Sequence, residues 1–106
     1  MFYEIRRYQT QPERRAEWVR YMEEVVVPFQ SGLGMNVIAS FIDEEDENGY
    51  LWIRRFEDEA ERAELYRAVY ENELWTGEIG PAVHALLLAE QSVVTRVVPT
   101  AASRLQ

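Results

Sequence analysis

Residues 34–56, GMNVIASFIDEEDENGYLWIRRF, contain two strand-like runs on either side of an acidic turn. Residues 34–42 and 50–56 are rich in β-branched and aromatic side chains, which favour β-strands. The acidic segment ends in Asn48-Gly49, and this dipeptide is the strongest short-range indicator of a β-hairpin. The stretch therefore predicts two antiparallel strands joined by an acidic loop, in the middle of the chain.

An amphipathic helix is predicted before the hairpin. Thr10 and Glu13 have the spacing of a capping box, and Pro12 suits the first helical turn because that turn needs no amide hydrogen from it. The helix carries an apolar stripe at spacings of three and four residues, formed by Trp18, Met22, Val25 and Phe29. Proline and glycine are expected to end the helix between residues 27 and 32.

A second helix and two outer strands complete the pattern. Asp58 is a residue type that caps helices, and an acidic residue follows three positions later. Residues 2–9 and 89–98 have the composition of strands. The order β-α-β-β-α-β predicts a ferredoxin-like fold, an α+β domain over residues 1–99 with helices on one face of a four-stranded antiparallel sheet. Residues 100–106 are expected to form a loose C-terminal tail.

Both faces of the predicted sheet carry apolar residues. Neighbouring side chains of a strand point to opposite faces. The residues predicted to share one face of their strand are Phe2, Glu4, Arg6 and Tyr8 in the first strand, and Met35, Val37, Ala39 and Phe41 in the second. Because two helices cover only one face, the other face would remain a large exposed apolar patch. A homodimer that buries this face is therefore predicted, in agreement with the frequency of twofold homodimers.

Composition excludes several classes of partner and chemistry. The 106 residues correspond to one domain, and the net charge of −8 disfavours a nucleic-acid partner. No run approaches the roughly 20 apolar residues of a membrane span, and no signal peptide is apparent, so we expect a cytoplasmic protein without membrane contact. The chain has no cysteine, which excludes thiolate chemistry, and no lysine, which excludes a Schiff base.

Several short segments resemble NIPSNAP-like domains. These segments are Phe2-Tyr3-Glu4-Ile5-Arg6-Arg7-Tyr8 followed by Pro12, Leu51-Trp52-Ile53-Arg54-Arg55-Phe56-Glu57-Asp58 followed by Arg62, and Glu73-Leu74-Trp75. The resemblance spans roughly residues 2–99, and it implies the dimeric α+β barrel superfamily, to which cofactor-independent antibiotic-biosynthesis monooxygenases also belong. It implies the same fold and dimer as the alternation but little chemistry. The family often has Pro-Gly before the first helix, whereas Glu13 follows Pro12 here.

Charged and titratable residues suggest a site on one face of the sheet. His84 is the only histidine, so any imidazole acid–base step falls to it, although a structural role is the alternative. If the first and third strands pair, Glu4, Arg6 and Arg54 share a face with Trp52, Tyr8 and Tyr50. They would then anchor an anionic or phenolic ligand, or form an internal salt-bridge network at the dimer interface.

Aromatic residues and the acidic loop each allow two interpretations. The aromatic residues that could line a pocket between helices and sheet, or simply fill the core, are Tyr3, Tyr21, Tyr66, Tyr70, Trp18 and Trp75. The loop from Asp43 to Asn48 lacks the order of calcium-binding loops, and Arg54 stands where the bidentate glutamate would be, so a solvated hairpin tip is favoured. No phosphate loop, nucleophile elbow or metalloprotease motif is present.

The leading hypothesis is a homodimer that binds a small aromatic or polyketide-like metabolite and transforms it, if at all, without metal or organic cofactor. His84 would act as acid–base, Arg6 and Arg54 would bind the substrate, and Trp52 and Tyr66 would contact its ring. An enzyme of this kind would be a monooxygenase-like, isomerase-like or cyclase-like protein. The alternative is a non-catalytic homodimeric interaction or regulatory module. Haem or metal binding through His84 is disfavoured, because a single histidine supplies no second nitrogen ligand.

Overall fold

The computed structural model describes residues 1–106 and has the predicted order of strands and helices. Its elements in chain order are β1 (Phe2–Gln9), α1 (Arg15–Tyr21), a first π-helical turn (Met22–Val26), α2 (Val27–Gly32), β2 (Asn36–Ile42), β3 (Gly49–Phe56), α3 (Glu59–Tyr70), a second π-helical turn (Trp75–Ile79), α4 (Gly80–Leu86), a 3-10 turn (Ala89–Gln91) and β4 (Val93–Val97). The last strand is shorter than expected because the 3-10 turn takes its first residues. The ferredoxin-like α+β prediction is confirmed.

The sheet is antiparallel throughout, with strand order β2-β3-β1-β4. On the two central strands, Glu4 lies opposite Arg54 and Tyr8 lies opposite Tyr50. Residues directly opposite one another share a face, so the predicted grouping of charged and aromatic residues on β1 and β3 is confirmed.

The predicted alternation of β2 is wrong beyond its first residues. Val37 lies opposite Arg54, but Ala39 already lies opposite Ile53, and Ile38 is the additional residue of a β-bulge. A bulge inserts one residue and reverses the faces of the residues that follow. Val37 therefore faces the helices, whereas Ala39 and Phe41 face the other side of the sheet. A strict two-residue period cannot reveal such an insertion.

Both long helical segments widen into a π-helical turn close to a proline. The amide of Val27 donates to the carbonyl of Met22, and the amide of Gly80 donates to the carbonyl of Trp75, each five residues earlier. The next residues, Pro28 and Pro81, lack an amide hydrogen and cannot continue the regular ladder. The prolines thus explain where each helix widens.

The core lies between the sheet and the helices, and aromatic rings dominate it. Trp18 is fully buried, and its ring meets the rings of Tyr8 and Tyr50 edge-on with both centroids 5.8 Å away. Edge-to-face contacts of this kind add to the stabilisation that burial provides. A smaller cluster of Phe2, Met35, Phe56 and Val69 closes the other end of the sheet.

The opposite face of the sheet has no helix over it. Phe41 and Val93, on the two edge strands, are each 54% exposed there. The chain after Pro99, expected to be loose, instead lies against one end of this open face, where the Tyr3 hydroxyl donates to the Gln106 carbonyl at 3.1 Å. Most of the open face remains uncovered, as the alternation of β1 and β3 predicted.

Asp58→Ala is predicted to lower the free energy of unfolding by about 1 kcal/mol, because the Asp58 carboxylate accepts a hydrogen bond from the Glu61 amide at 2.8 Å and caps α3. Urea unfolding of the variant and the wild type measures this difference. Glu64→Ala, on the exposed side of the same helix, is the matched control and should change stability by less than about 0.5 kcal/mol. Equal effects of the two substitutions would contradict a capping role.

Candidate functional site

A cavity of about 280 Å³ lies between the sheet and the helical layer. Strands β1 and β3 form its floor with Arg6, Tyr8 and Trp52. The helical segments and the chain before β4 form the rest of its wall, with Trp18, Met22, Val26, Gln30, Tyr70, Trp75, Val83, His84, Leu87, Ala89 and Ser92. The cavity is partly open to solvent on the side of His84 and Ala89, whose side chains are exposed, so a molecule can enter there.

Both π-helical turns contribute to the wall of this cavity. The first supplies Met22 and Val26, and the second supplies Trp75. A Cβ atom at Gly80 would lie 2.9 Å from the Trp75 carbonyl oxygen and 3.0 Å from its indole nitrogen, so glycine is required there for the close approach of Trp75. Single π-helical turns inside α-helices occur frequently at functional sites, because they displace side chains from the regular helical positions.

A buried polar cluster lies beside the cavity, on the same face of the sheet as the cavity floor. The Arg54 side chain is fully buried, and its Nη2 donates to the Glu4 carboxylate at 2.5 Å and to the Tyr66 hydroxyl at 2.9 Å. Its Nη1 donates to the Gln30 carbonyl oxygen and to the Tyr70 hydroxyl, both at 2.8 Å. A buried guanidinium is tolerated only when it is paired and hydrogen-bonded in this way.

The cluster changes the titration of its members. Burial alone would raise the pKa of Glu4, but the charge of Arg54, hydrogen bonds from Tyr66 and Arg54, and the charge of Arg6 outweigh it, so the pKa lies below its ordinary value. Burial, opposed by the Arg54 charge and aided by the hydrogen bond to Glu4, raises the pKa of Tyr66 to about 12. The carboxylate is therefore ionised and the phenol neutral across the physiological range.

Arg6 connects this cluster to the cavity. Its Nε donates to the Tyr8 hydroxyl at 2.6 Å, and its Nη1 donates to Glu4 at 3.2 Å and to Tyr66 at 3.3 Å. Unlike Arg54, it lines the cavity, and its side chain is 20% exposed. Arg6 is thus the guanidinium that a bound molecule can reach.

His84 lies at the rim of the cavity on α4. Its side chain is exposed, and beside it a shallow groove lined by Tyr70, Trp75 and Pro81 continues outward from the cavity. This position lets the imidazole exchange protons with solvent while it faces the cavity, which is what a general acid or base requires.

The predicted site residues divide into those that line the cavity and those that belong to the polar cluster beside it. Arg6, Trp52 and His84 line the cavity, whereas Arg54 and Tyr66 do not. The hydrogen bonds of Arg54 and Tyr66 are directed into the protein, and contact of these two side chains with a ligand stays a prediction. The cluster faces the helices, so the alternative of a salt-bridge network at the dimer interface does not fit.

The predicted aromatic pocket divides in the same way. Trp18, Tyr70 and Trp75 line the cavity, whereas Tyr3 faces the open side of the sheet and Tyr21 packs outside the cavity wall. Gln30 is the principal residue that sequence reasoning missed. Gln30 continues the spacing of four residues that joins Trp18, Met22 and Val26. A polar residue in register with an apolar stripe is the signal in the sequence that could have identified it.

Several oxygen atoms of the acidic loop are already occupied by hydrogen bonds within the protein. The carbonyl oxygens of Asp43, Asp46 and Gly49 accept hydrogen bonds from Nη1 of Arg15 at 2.8, 2.7 and 3.2 Å. The Asp43 carboxylate accepts from two amides of the loop itself. The loop is thus closed by an arginine, in agreement with a solvated hairpin tip. No three histidine, aspartate or glutamate side chains converge to hold a metal ion, and no helix has the length and apolar character needed to cross a bilayer.

Comparisons with known proteins identify the family and the fold. Residues 3–103 match the family model described as NIPSNAP. A NIPSNAP family protein of Agrobacterium tumefaciens strain C58 (Atu5224) superposes with a TM-score of 0.86 at 23% identity, covering 99% of this chain and 90% of that one. Protein Atu4242 of A. tumefaciens superposes with a TM-score of 0.87 at 25% identity over the full length of both chains. A search of curated proteins finds no match.

A more distant structure shares the fold alone. The solved structure of an antibiotic biosynthesis monooxygenase superposes with a TM-score of 0.68 at 18% identity, covering 94% of this chain and 99% of that one. This likeness agrees with the ferredoxin-like architecture.

Glu4→Gln is predicted to lower the free energy of unfolding at pH 7 by about 3–5 kcal/mol, because it leaves the buried Arg54 charge without its partner. The lowered pKa of Glu4 means that the unfolded chain binds the proton first as the pH falls. The stabilisation from Glu4 is therefore complete above the ordinary pKa of 4.5 and is lost as the pH falls through the lower folded-state value.

Urea unfolding between pH 3 and pH 7 checks this prediction. The difference in stability between wild type and Glu4→Gln should shrink steadily below about pH 4.5. Glu44→Gln, in the exposed acidic loop, is the control and should follow the wild type at every pH. A constant difference across the whole range would show that the Glu4 charge does not stabilise the fold.

Proposed function

The chain belongs to the NIPSNAP family, and from that premise we propose that it is a homodimer that binds a small aromatic or polyketide-like metabolite in the cavity between sheet and helices. The observation that supports this function is the composition of the cavity wall. All three tryptophans of the chain line the cavity, together with Tyr8 and Tyr70. Small-molecule sites are mostly apolar and aromatic with a few converging polar groups, and Arg6 and His84 are such groups here.

The size of the cavity limits the ligand. At about 280 Å³ it lies just below the usual range for small-molecule sites, which is about 300–1,000 Å³. Two fused aromatic rings fit this space better than a large polycyclic compound. Aromatic side chains surround a flat ring at low entropic cost, because they have few rotatable bonds.

Chemistry on the bound molecule would be proton transfer by His84. His84 is the only histidine of the chain, imidazole is the side chain that most often serves as a general acid or base, and Arg6 supplies a positive charge in the same wall. A proton taken from one carbon of the ligand and returned to another is an isomerisation, and the same step prepares a ring closure. The antibiotic biosynthesis monooxygenase that shares the fold at 18% identity supplies an analogy of fold and says nothing about this site.

The open face of the sheet supports the homodimer. Ile5 and Arg7 of β1 and Leu51 and Ile53 of β3 lie on this face, and Phe41 is more than half exposed at its edge. A largely apolar face of four strands is larger than the patches that monomers normally leave exposed. A second copy of the same face would cover it symmetrically.

Phe41→Glu is predicted to dissociate the dimer, because two carboxylates would then be buried at the twofold interface of a chain whose net charge is already −8. Sedimentation velocity should give the mass of two chains for the wild type and of one chain for the variant. Leu74→Glu, which changes an exposed leucine of the helical layer, is the control and should remain dimeric. A wild type that sediments as one chain at high concentration would refute the dimer.

Ala89→Phe is predicted to block the cavity, because Ala89 is an exposed residue that lines its rim. Calorimetric titration with 2-naphthoate and 2-naphthamide, two flat bicyclic compounds, should detect binding of at least one to the wild type, and the variant should weaken it at least about tenfold. Ala85→Phe, which changes an exposed alanine of α4 outside the cavity wall, should bind like the wild type. If neither compound binds, or both variants bind equally, the cavity is not the site.

A further inference from the structure

We infer that the ligand of this cavity is an aromatic carboxylate, held by its two oxygens against Arg6 and the hydrogen-bond donors of Trp52 and Gln30. The inference rests on the proposed function, since it specifies what that binding site selects. It comes from the polar groups of the wall, which are nearly all donors.

The cavity wall differs in charge from the rest of the protein. Acidic residues outnumber basic ones by 19 to 11 in the chain, yet the wall contains Arg6 and His84 and no aspartate or glutamate. A wall with an arginine and no acidic residue favours an anion, although the chain as a whole is acidic. Low-dielectric walls strengthen this local preference, because charges there are poorly screened.

The nearest carboxylate does not neutralise the site. Glu4 accepts hydrogen bonds from Arg54, Arg6 and Tyr66, and it does not line the cavity. One carboxylate between two guanidinium groups leaves one positive charge in excess. Arg6 is the member of this group that lines the cavity, and its Nη2 makes no hydrogen bond within the protein.

Unpaired donors in the wall point to a ligand rich in acceptors. The indole nitrogens of Trp18 and Trp52 and the amide nitrogen of Gln30 belong to wall residues, are buried and have no acceptor within the protein. Nε of Arg54, outside the wall, is the one other buried donor of this kind. The orientation of the Gln30 amide is fixed, because its oxygen accepts from Arg54, which can only donate. Buried donors without acceptors are rare in proteins and require an explanation.

The tyrosine hydroxyls of the wall add to this bias. The Tyr8 oxygen accepts from Arg6 and the Tyr70 oxygen accepts from Arg54, so the hydrogen of each hydroxyl remains available to donate. No lining residue has an unpaired buried acceptor, since the one such atom, Oδ1 of Asn48, lies outside the cavity. Several donors at separate positions suit the two oxygens of a carboxylate better than a single phenolate oxygen.

Titration of the wild type with 2-naphthoate and 2-naphthamide tests the inference, because the two compounds share a shape and differ in charge. Calorimetry should show that the carboxylate binds at least about tenfold more tightly than the amide. Arg6→Gln should remove most of this preference, because it should weaken the carboxylate much more than the amide. Arg7→Gln is the matched control, since Arg7 is the next residue of β1 and points to the opposite face of the sheet.

Each outcome separates this inference from the function on which it rests. Equal affinities for the carboxylate and the amide in the wild type would overturn the inference and leave a binding cavity in place. Binding of neither compound would overturn the proposed function itself. If Arg6→Gln fails to fold, Trp52→Phe serves as the second variant, because it retains an aromatic ring and removes the indole N–H donor. It should weaken binding of the carboxylate more than binding of the amide. An equal loss for both compounds would count against the inference.

Discussion

The need to satisfy one buried guanidinium organises the structure around the cavity. Arg54 is fully buried on a central strand, and its four short hydrogen bonds reach β1, α2 and α3. A charge removed from water is stable only if every partner is held in place, so these contacts fix the helices over the sheet. Tyr70 and Gln30, which accept hydrogen bonds from Arg54, are also part of the cavity wall. The same interaction therefore stabilises the fold and shapes the site.

Two prolines have a comparable influence on the shape of the helical layer. Each lies just after a π-helical turn, where the missing amide hydrogen prevents a regular helix. The widened turns move Met22, Val26 and Trp75 away from the positions that straight helices would give them. Because Gly80 lets Trp75 approach the backbone closely, this ring can stand at the border of the cavity rather than fill it. The hollow is thus a consequence of backbone chemistry as well as of side-chain choice.

The sequence predicted the parts of this design that depend on regular periodicity. The alternation of β1 and β3 placed Glu4, Arg6, Trp52 and Arg54 on one face, and the register confirms it. Periodicity failed where the backbone departs from it, at the bulge of Ile38 and at the π-helical turns. It also could not separate Arg6 from Arg54, because both lie on the same face and only packing depth decides which one a ligand reaches. Gln30 was missed for the same reason, since its burial depends on the partner that only the fold supplies.

The cavity and the open face of the sheet, the two surfaces of the proposed function, lie on opposite sides of the same strands. Along β1, Arg6 and Tyr8 face the cavity, while Ile5 and Arg7 face the open side. No side chain can contact both surfaces, so a partner on the open face influences the cavity only through the backbone of the sheet. A central strand held by neighbours on both sides deforms little, and the cavity should keep its shape whether or not the open face is covered. The proposed ligand binding and the proposed association are therefore separable by substitution, since a side chain on one face does not contact the other.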